Sequence, residues 1–215
     1  MAARETGAGR DVPADPPYER EQTYASRYRE RRFQTGTGPR THRREVQVVA
    51  DLVARSGAGP GPWLDVPAGT GRMSPLLPSP VIQVDRDPAM LRAGNGSSRV
   101  GASILALPFP DDCFAGALCH RLLQHFPQPS QRIAALAELA RVTAGPIVFS
   151  YFDATTLQHA RRRLRSLFGG RRSGRSAVRW RTLRGELEAA GLRPLARRPL
   201  LAFLSEQTLV LAARR

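Results

Sequence analysis

A chain of 215 residues and 23.6 kDa, 41% hydrophobic and 24% charged, has room for one substantial domain and is too apolar to be disordered over most of its length. Two cysteines, Cys113 and Cys119, and four scattered histidines exclude a four-cysteine zinc knuckle and a disulfide-dense scaffold. The formal charge of +15 comes from arginine alone, with no lysine, and it is local: residues 154–215 hold 15 arginines against 3 acids, and residues 1–153 hold 18 against 15.

Residues 1–17 are polar and rich in Gly and Pro, which predicts a loose tail ahead of a single domain over 18–215. Tyr18, Tyr24, Tyr28 and Phe33 have the spacing of a short helix with an aromatic stripe, stopped by Thr35-Gly36-Thr37-Gly38-Pro39. Val46, Val49, Leu52 and Val53 predict a helix over 42–56, ended by Gly57. Beyond the Gly/Pro-rich 57–62, Trp63-Leu64-Asp65-Val66 reads as a first strand leading into Ala68-Gly69-Thr70-Gly71, with a helix expected next. Val81 to Val84 is a second strand ending in Asp85, followed by a helix from Pro88 through Met90 and Leu91. A third strand is expected over Ser103–Leu107 and a fourth over Phe114–Cys119. The helix over 130–142 has the clearest apolar face, and Ile147 to Phe152 is a strong strand. The remainder reads as helix 157–168, an arginine-rich loop 169–177, helix 178–190, and strands near 193–203 and 206–213. Such alternation predicts an α/β sheet covered on both faces.

Asp65 to Arg72 is the most informative stretch. Glycines directly after a first strand let the backbone turn tightly and approach a ligand closely. The dinucleotide fingerprint GxGxxG is absent, because Gly69 and Gly71 are followed by serine at 74, and a phosphate loop is excluded by the lack of lysine. A strand, glycine loop and helix without a phosphate signature suit a nucleoside ligand that lacks phosphates.

Three ordered stretches carry a family resemblance: Asp65 to Gly71, Val81 to Leu91 (VIQVDRDPAML), and Ile104 to His125 with its L-P-F-x-D…F…L-x-H pattern. Together they resemble a class I S-adenosylmethionine-dependent methyltransferase, of the broad group of quinone-biosynthesis and small-molecule enzymes. The resemblance implies a Rossmann-like methyltransferase fold: a seven-stranded, mostly parallel sheet with an antiparallel terminal strand and helices on both faces. It also implies S-adenosyl-L-methionine as cofactor. Asp65, Pro67, Gly69, Thr70 and Gly71 would line its methionine and ribose side. Asp85 would accept from the ribose hydroxyls, Arg86 and Met90 would lie beside the adenine, and Ser103 and Ile104 would read the adenine edge. Residues before the core, over 18–44, would fold over the cofactor, with Tyr24 and Arg27 as contacts. Pro67 stands where the family has glycine, and Ala102-Ser103 where it has Gly-Asp, departures that keep a non-catalytic cofactor-binding protein in view.

For the reaction, His120 and His125 are the candidate catalytic residues, His120 nearer the transferable methyl, since imidazole titrates near neutrality. No metal is expected, because the sulfonium activates its own methyl group. The favoured acceptor is a small or lipid-like metabolite. The alternative is RNA held by the arginine-rich 154–190, where ten arginines and no acid fall between Arg161 and Arg184. That belt has three readings: a solvated face, a site for an anionic substrate or membrane surface, or an RNA contact. No run of 18 apolar residues and no leader-like opening segment are seen, so a cytoplasmic location without membrane spans is expected.

Overall fold

A computed structural model describes residues 38–167 and 174–215. Tyr24 and Arg27 fall outside the described residues, as does part of the arginine-rich loop. Helix α1 (Gly38–Ala54) precedes strand β1 (Trp63–Asp65), and β2 (Val81–Asp85) is followed by the short α2 (Pro88–Arg92) and β3 (Arg99–Gly101). Then come β4 (Gly116–Cys119), α3 (Pro129–Val142), β5 (Ile147–Phe152), α4 (Leu157–Leu167), α5 (Trp180–Ala189), β6 (Leu192–Pro199) and β7 (Gln207–Arg214).

The seven strands form one sheet in the order β3-β2-β1-β4-β5-β7-β6. All neighbours from β3 to β5 pair in parallel, and β7 runs antiparallel to both β5 and β6. Alternating residues feed two cores. Trp63, Leu118, Val148, Leu209 and Leu211 face Val48, Val49 and Leu52 of α1. Leu64, Ala117, Cys119, Ile147, Phe149, Val210 and Ala212 face the other way, onto Leu136 and Leu139 of α3 and Leu183 and Leu187 of α5. Runs of apolar residues in β1, β4 and β5, buried on both sides, are what a covered parallel sheet requires. Gly116 belongs to the first core, since a Cβ there would stand 2.5 Å from the Trp63 ring.

Three expectations need correction. The third strand lies at Arg99–Gly101 rather than Ser103–Leu107. Residues 103–106 form a turn instead, in which Leu105 N donates to Ser103 Oγ (3.1 Å) and Ala106 N to Ser103 O (3.2 Å); a serine hydroxyl competes in this way with sheet bonding. The helix after the glycine loop is reduced to a single 3₁₀ turn over Ser74–Leu76, because Pro75, Pro78 and Pro80 deny it backbone donors. The fourth strand starts at Gly116, and Phe114 makes only a bridge to Thr143. The L-P-F-x-D segment is a brace: Arg141 binds Asp111 (2.7 Å), and Phe109 meets Phe114 edge-on at 5.0 Å.

Candidate functional site

The parallel strands end together at Asp65, Asp85 and Cys119, and the loops that follow build the site. Val66 N donates to Leu118 O (2.9 Å) and Ala68 N to Val84 O (2.8 Å), so the loop after β1 is pinned to the strands on either side. Gly69 (φ 57°) and Gly71 (φ 73°) occupy the left-handed region, where a side chain is strained. Beneath them lies buried Gln83 of β2. A Cβ on Gly71 would sit 2.4 Å from its amide nitrogen, and one on Gly96 2.0 Å from its amide oxygen. Gln83 Nε2 donates to Ser74 Oγ (2.7 Å), which donates to Asp65 Oδ2 (2.6 Å). Ser74, which spoils the dinucleotide fingerprint, is therefore the support of Asp65.

The two strand-end carboxylates differ in their surroundings. Asp65 is buried, and desolvation pushes its pKa up to about 7, opposed by the Ser74 hydrogen bond and reinforced by Asp85. Asp85 is fixed by backbone donors: Gly69 N reaches Oδ2 at 2.8 Å and Asp87 N reaches Oδ1 at 2.9 Å. Asp87 in turn caps α2, accepting from Ala89 N (2.9 Å). Met90 of α2 is buried and comes within 3.4 Å of where a Gly69 Cβ would be. Arg86 and Pro67 are half-buried beside this loop system, as is Thr70 within it. Ser103 and Ile104 follow β3 in the turn described above, with Ile104 buried. These predicted residues are thus gathered at one end of the sheet.

His120 ends β4 in a polar cluster that the sequence reading missed. Its centre is Glu45 of α1, which is fully buried. Glu45 pairs with Arg72 of the glycine loop (2.8 Å) and Arg121 (3.0 Å), and lies 3.9 Å from His120 Nε2. Arg72 also contacts His42 Nδ1 (2.7 Å), and Gln207 Nε2 of β7 lies 2.8 Å from His120 Nε2. Burial, with Arg72 and Arg121 nearby, holds the His120 pKa well below its ordinary value, so the ring is neutral at pH 7. His125 is half-buried in a separate 3₁₀ turn, Leu123–His125. The signal for Glu45 was present in the sequence, since an acid stands in register with Val48, Val49 and Leu52 on the apolar stripe of α1.

The donor set fits a nucleoside with a ribose diol and a cationic tail. Asp85 offers a fixed carboxylate, the glycine turn admits close approach, Met90 and Ile104 provide apolar cover, and Asp65 can ionise beside a cation. Residues 64–145 match the methyltransferase-domain family. That segment is a methyltransferase domain. No curated protein matches the methyltransferase in sequence. Among solved structures, it is similar to magnesium protoporphyrin IX methyltransferase from Synechocystis PCC 6803 with bound S-adenosylhomocysteine. The identity is 20% and the TM-score 0.73, over 90% of this chain and 95% of that one. A Thermotoga maritima S-adenosylmethionine-dependent methyltransferase, described as a possible histamine N-methyltransferase, shares 17% identity at a TM-score of 0.63, covering 90% and 97%. The methyltransferase has no described helix long and apolar enough to cross a membrane.

Proposed function

We propose that this methyltransferase transfers its methyl group to a small or lipid-like metabolite. The observation that carries the reading is the buried Glu45 bridge, which ties α1 to both Arg72 and Arg121 and so covers the corner where His120 ends β4. A covered corner suits a compact acceptor and excludes the water that weakens electrostatic orientation. The Synechocystis neighbour, named for a porphyrin substrate, supports the same class.

In this reading Asp85 accepts from the ribose hydroxyls, and Arg86, Met90, Ser103 and Ile104 surround the adenine. Asp65, Pro67, Gly69, Thr70 and Gly71 hold the ribose and methionine side. When bound, the cofactor supplies an electrophilic methyl group on a sulfonium, which needs an aligned nucleophile above all. His120 orients the acceptor, and its lowered basicity fits a nucleophile that needs little help to lose a proton. His125 is the second candidate, and Tyr24 and Arg27 extend the cover. Two free thiols, Cys113 and Cys119, fit a reducing cytoplasm.

The test supplies methyl-labelled S-adenosylmethionine together with a solvent extract of cell lipids and metabolites, or with total RNA. Label is expected in the extract, and its loss in Asp85→Ala is expected to follow. Label confined to RNA would overturn the acceptor class. Absence of saturable S-adenosylhomocysteine binding at millimolar ligand would overturn the residue assignments.

A further inference from the structure

Leu201, Phe203 and Leu204 project from the turn that joins β6 to β7, and Phe203 is 83% exposed. Phe203 also sits at φ 60°, a region costly for an aromatic residue. Exposed apolar area and a left-handed backbone are both unfavourable, and no described residue covers the Phe203 ring. The turn is held in place on two sides: Leu157 N at the start of α4 donates to Phe203 O (2.8 Å), and Arg44 Nε of α1 donates to Leu200 O (3.0 Å).

Helix α4 continues the same surface. His159 and Arg162 fasten it inward, each 3.2 Å from the buried carboxylate of Glu206. The outward side carries exposed Leu157 and Leu164, seven residues apart and so on one face, with exposed Arg161, Arg163 and Arg165 around them. The helix contains no acid, and these three arginines form no ion pair among the described residues. Apolar side chains ringed by unpaired arginines are complementary to a bilayer with negative headgroups.

We infer that the β6–β7 turn and the outward face of α4 form a docking surface for an anionic lipid bilayer. Its position gives the contact a use. Since β7 is antiparallel to β5, this turn emerges at the same sheet end as Asp65 and Asp85, and Gln207, which opens β7, touches His120. An acceptor dissolved in the membrane would meet the site without crossing open water. The inference deepens the lipid-like reading of the acceptor and rests on it only for that last step.

The test is sedimentation of the full chain with vesicles of phosphatidylcholine alone or containing about 30% phosphatidylglycerol, at about 0.05 and 0.15 M salt. Binding is expected only with the anionic vesicles. It should fall about tenfold or more in Arg161→Gln/Arg163→Gln/Arg165→Gln, and comparably in Phe203→Asn/Leu204→Ser. Asparagine tolerates the left-handed backbone, so the second variant keeps its fold, and unchanged thermal melting and S-adenosylhomocysteine affinity verify both. Loss in the arginine variant without loss in the apolar one would overturn the inference. So would RNA binding or dimerisation through this face with no vesicle binding. Labelled methyl transfer to a water-soluble metabolite, with vesicle binding intact, would remove the lipid-like acceptor and leave the docking surface standing.

Discussion

Two groups of arginines in this methyltransferase show how far one residue type depends on its setting. At the strand-end site, Arg72 and Arg121 are largely covered and share a buried carboxylate with which they define the corner around His120. On α4, Arg161, Arg163 and Arg165 are exposed and carry no ion pair among the described residues. Neutralising the first group should alter the site, whereas neutralising the second should alter only what the surface attracts. A chain with 33 arginines and no lysine therefore cannot be read by its total charge.

The contrast can be broken most severely at Glu45. Glu45→Gln strands two covered guanidiniums, with an expected loss of about 3–5 kcal/mol of stability in chemical denaturation. Adding Arg72→Met and Arg121→Met should recover much of that loss, and failure to recover would deny that the cluster is held by charge pairing. Asp85→Ala comes next, with S-adenosylhomocysteine affinity expected to fall by roughly 1.5–3 kcal/mol in calorimetry, since a charged acceptor of hydrogen bonds is lost.

Asp65 sharpens the comparison because, unlike Glu45, it is dominated by desolvation, which Arg72 and the Ser74 hydrogen bond offset only in part, and its pKa rises to about 7. The unfolded chain releases this proton near 3.8 and the folded chain near 7, so Asp65 lowers stability progressively between those values and by a constant amount above. Asp65→Asn should raise the stability of the ligand-free protein by about 1–2 kcal/mol at pH 8 and leave it nearly unchanged at pH 4. A variant less stable than wild type at pH 8 would contradict this. Smallest of all, Arg161→Gln/Arg163→Gln/Arg165→Gln should change stability by no more than about 0.5 kcal/mol, read by thermal melting, and leave cofactor affinity unaltered.

The sequence made the glycine loop and both strand-end aspartates legible because their signals are local: a strand, a turn that needs glycine, and an acid at a fixed place. The Glu45 cluster was not, because Glu45 and Arg121 are brought together across 76 positions by the packing of α1 on the sheet. The third strand was misplaced for a related reason. Ile104, Leu105 and Leu107 are buried as a strand would bury them, but they fill the core from a turn, whereas the true edge strand has only Val100 as an apolar residue. The prolines at 75, 78 and 80 did announce the missing helix, and the pull of the glycine pattern obscured them.

Gln83 links Gly71 and Gly96, two positions 25 residues apart that look independent along the chain. Both backbones rest on one buried amide, so neither glycine can gain a methyl group while that amide stays in place. Substitution histories at the three positions should therefore be correlated: a shorter residue at 83 first, then tolerance of alanine at 96, with Gly71 still restrained by its backbone angle. Exchange of Gln83 would also release the hydroxyl that steadies Asp65, so drift in the floor of the loop is checked by the proton affinity of a carboxylate on the next strand.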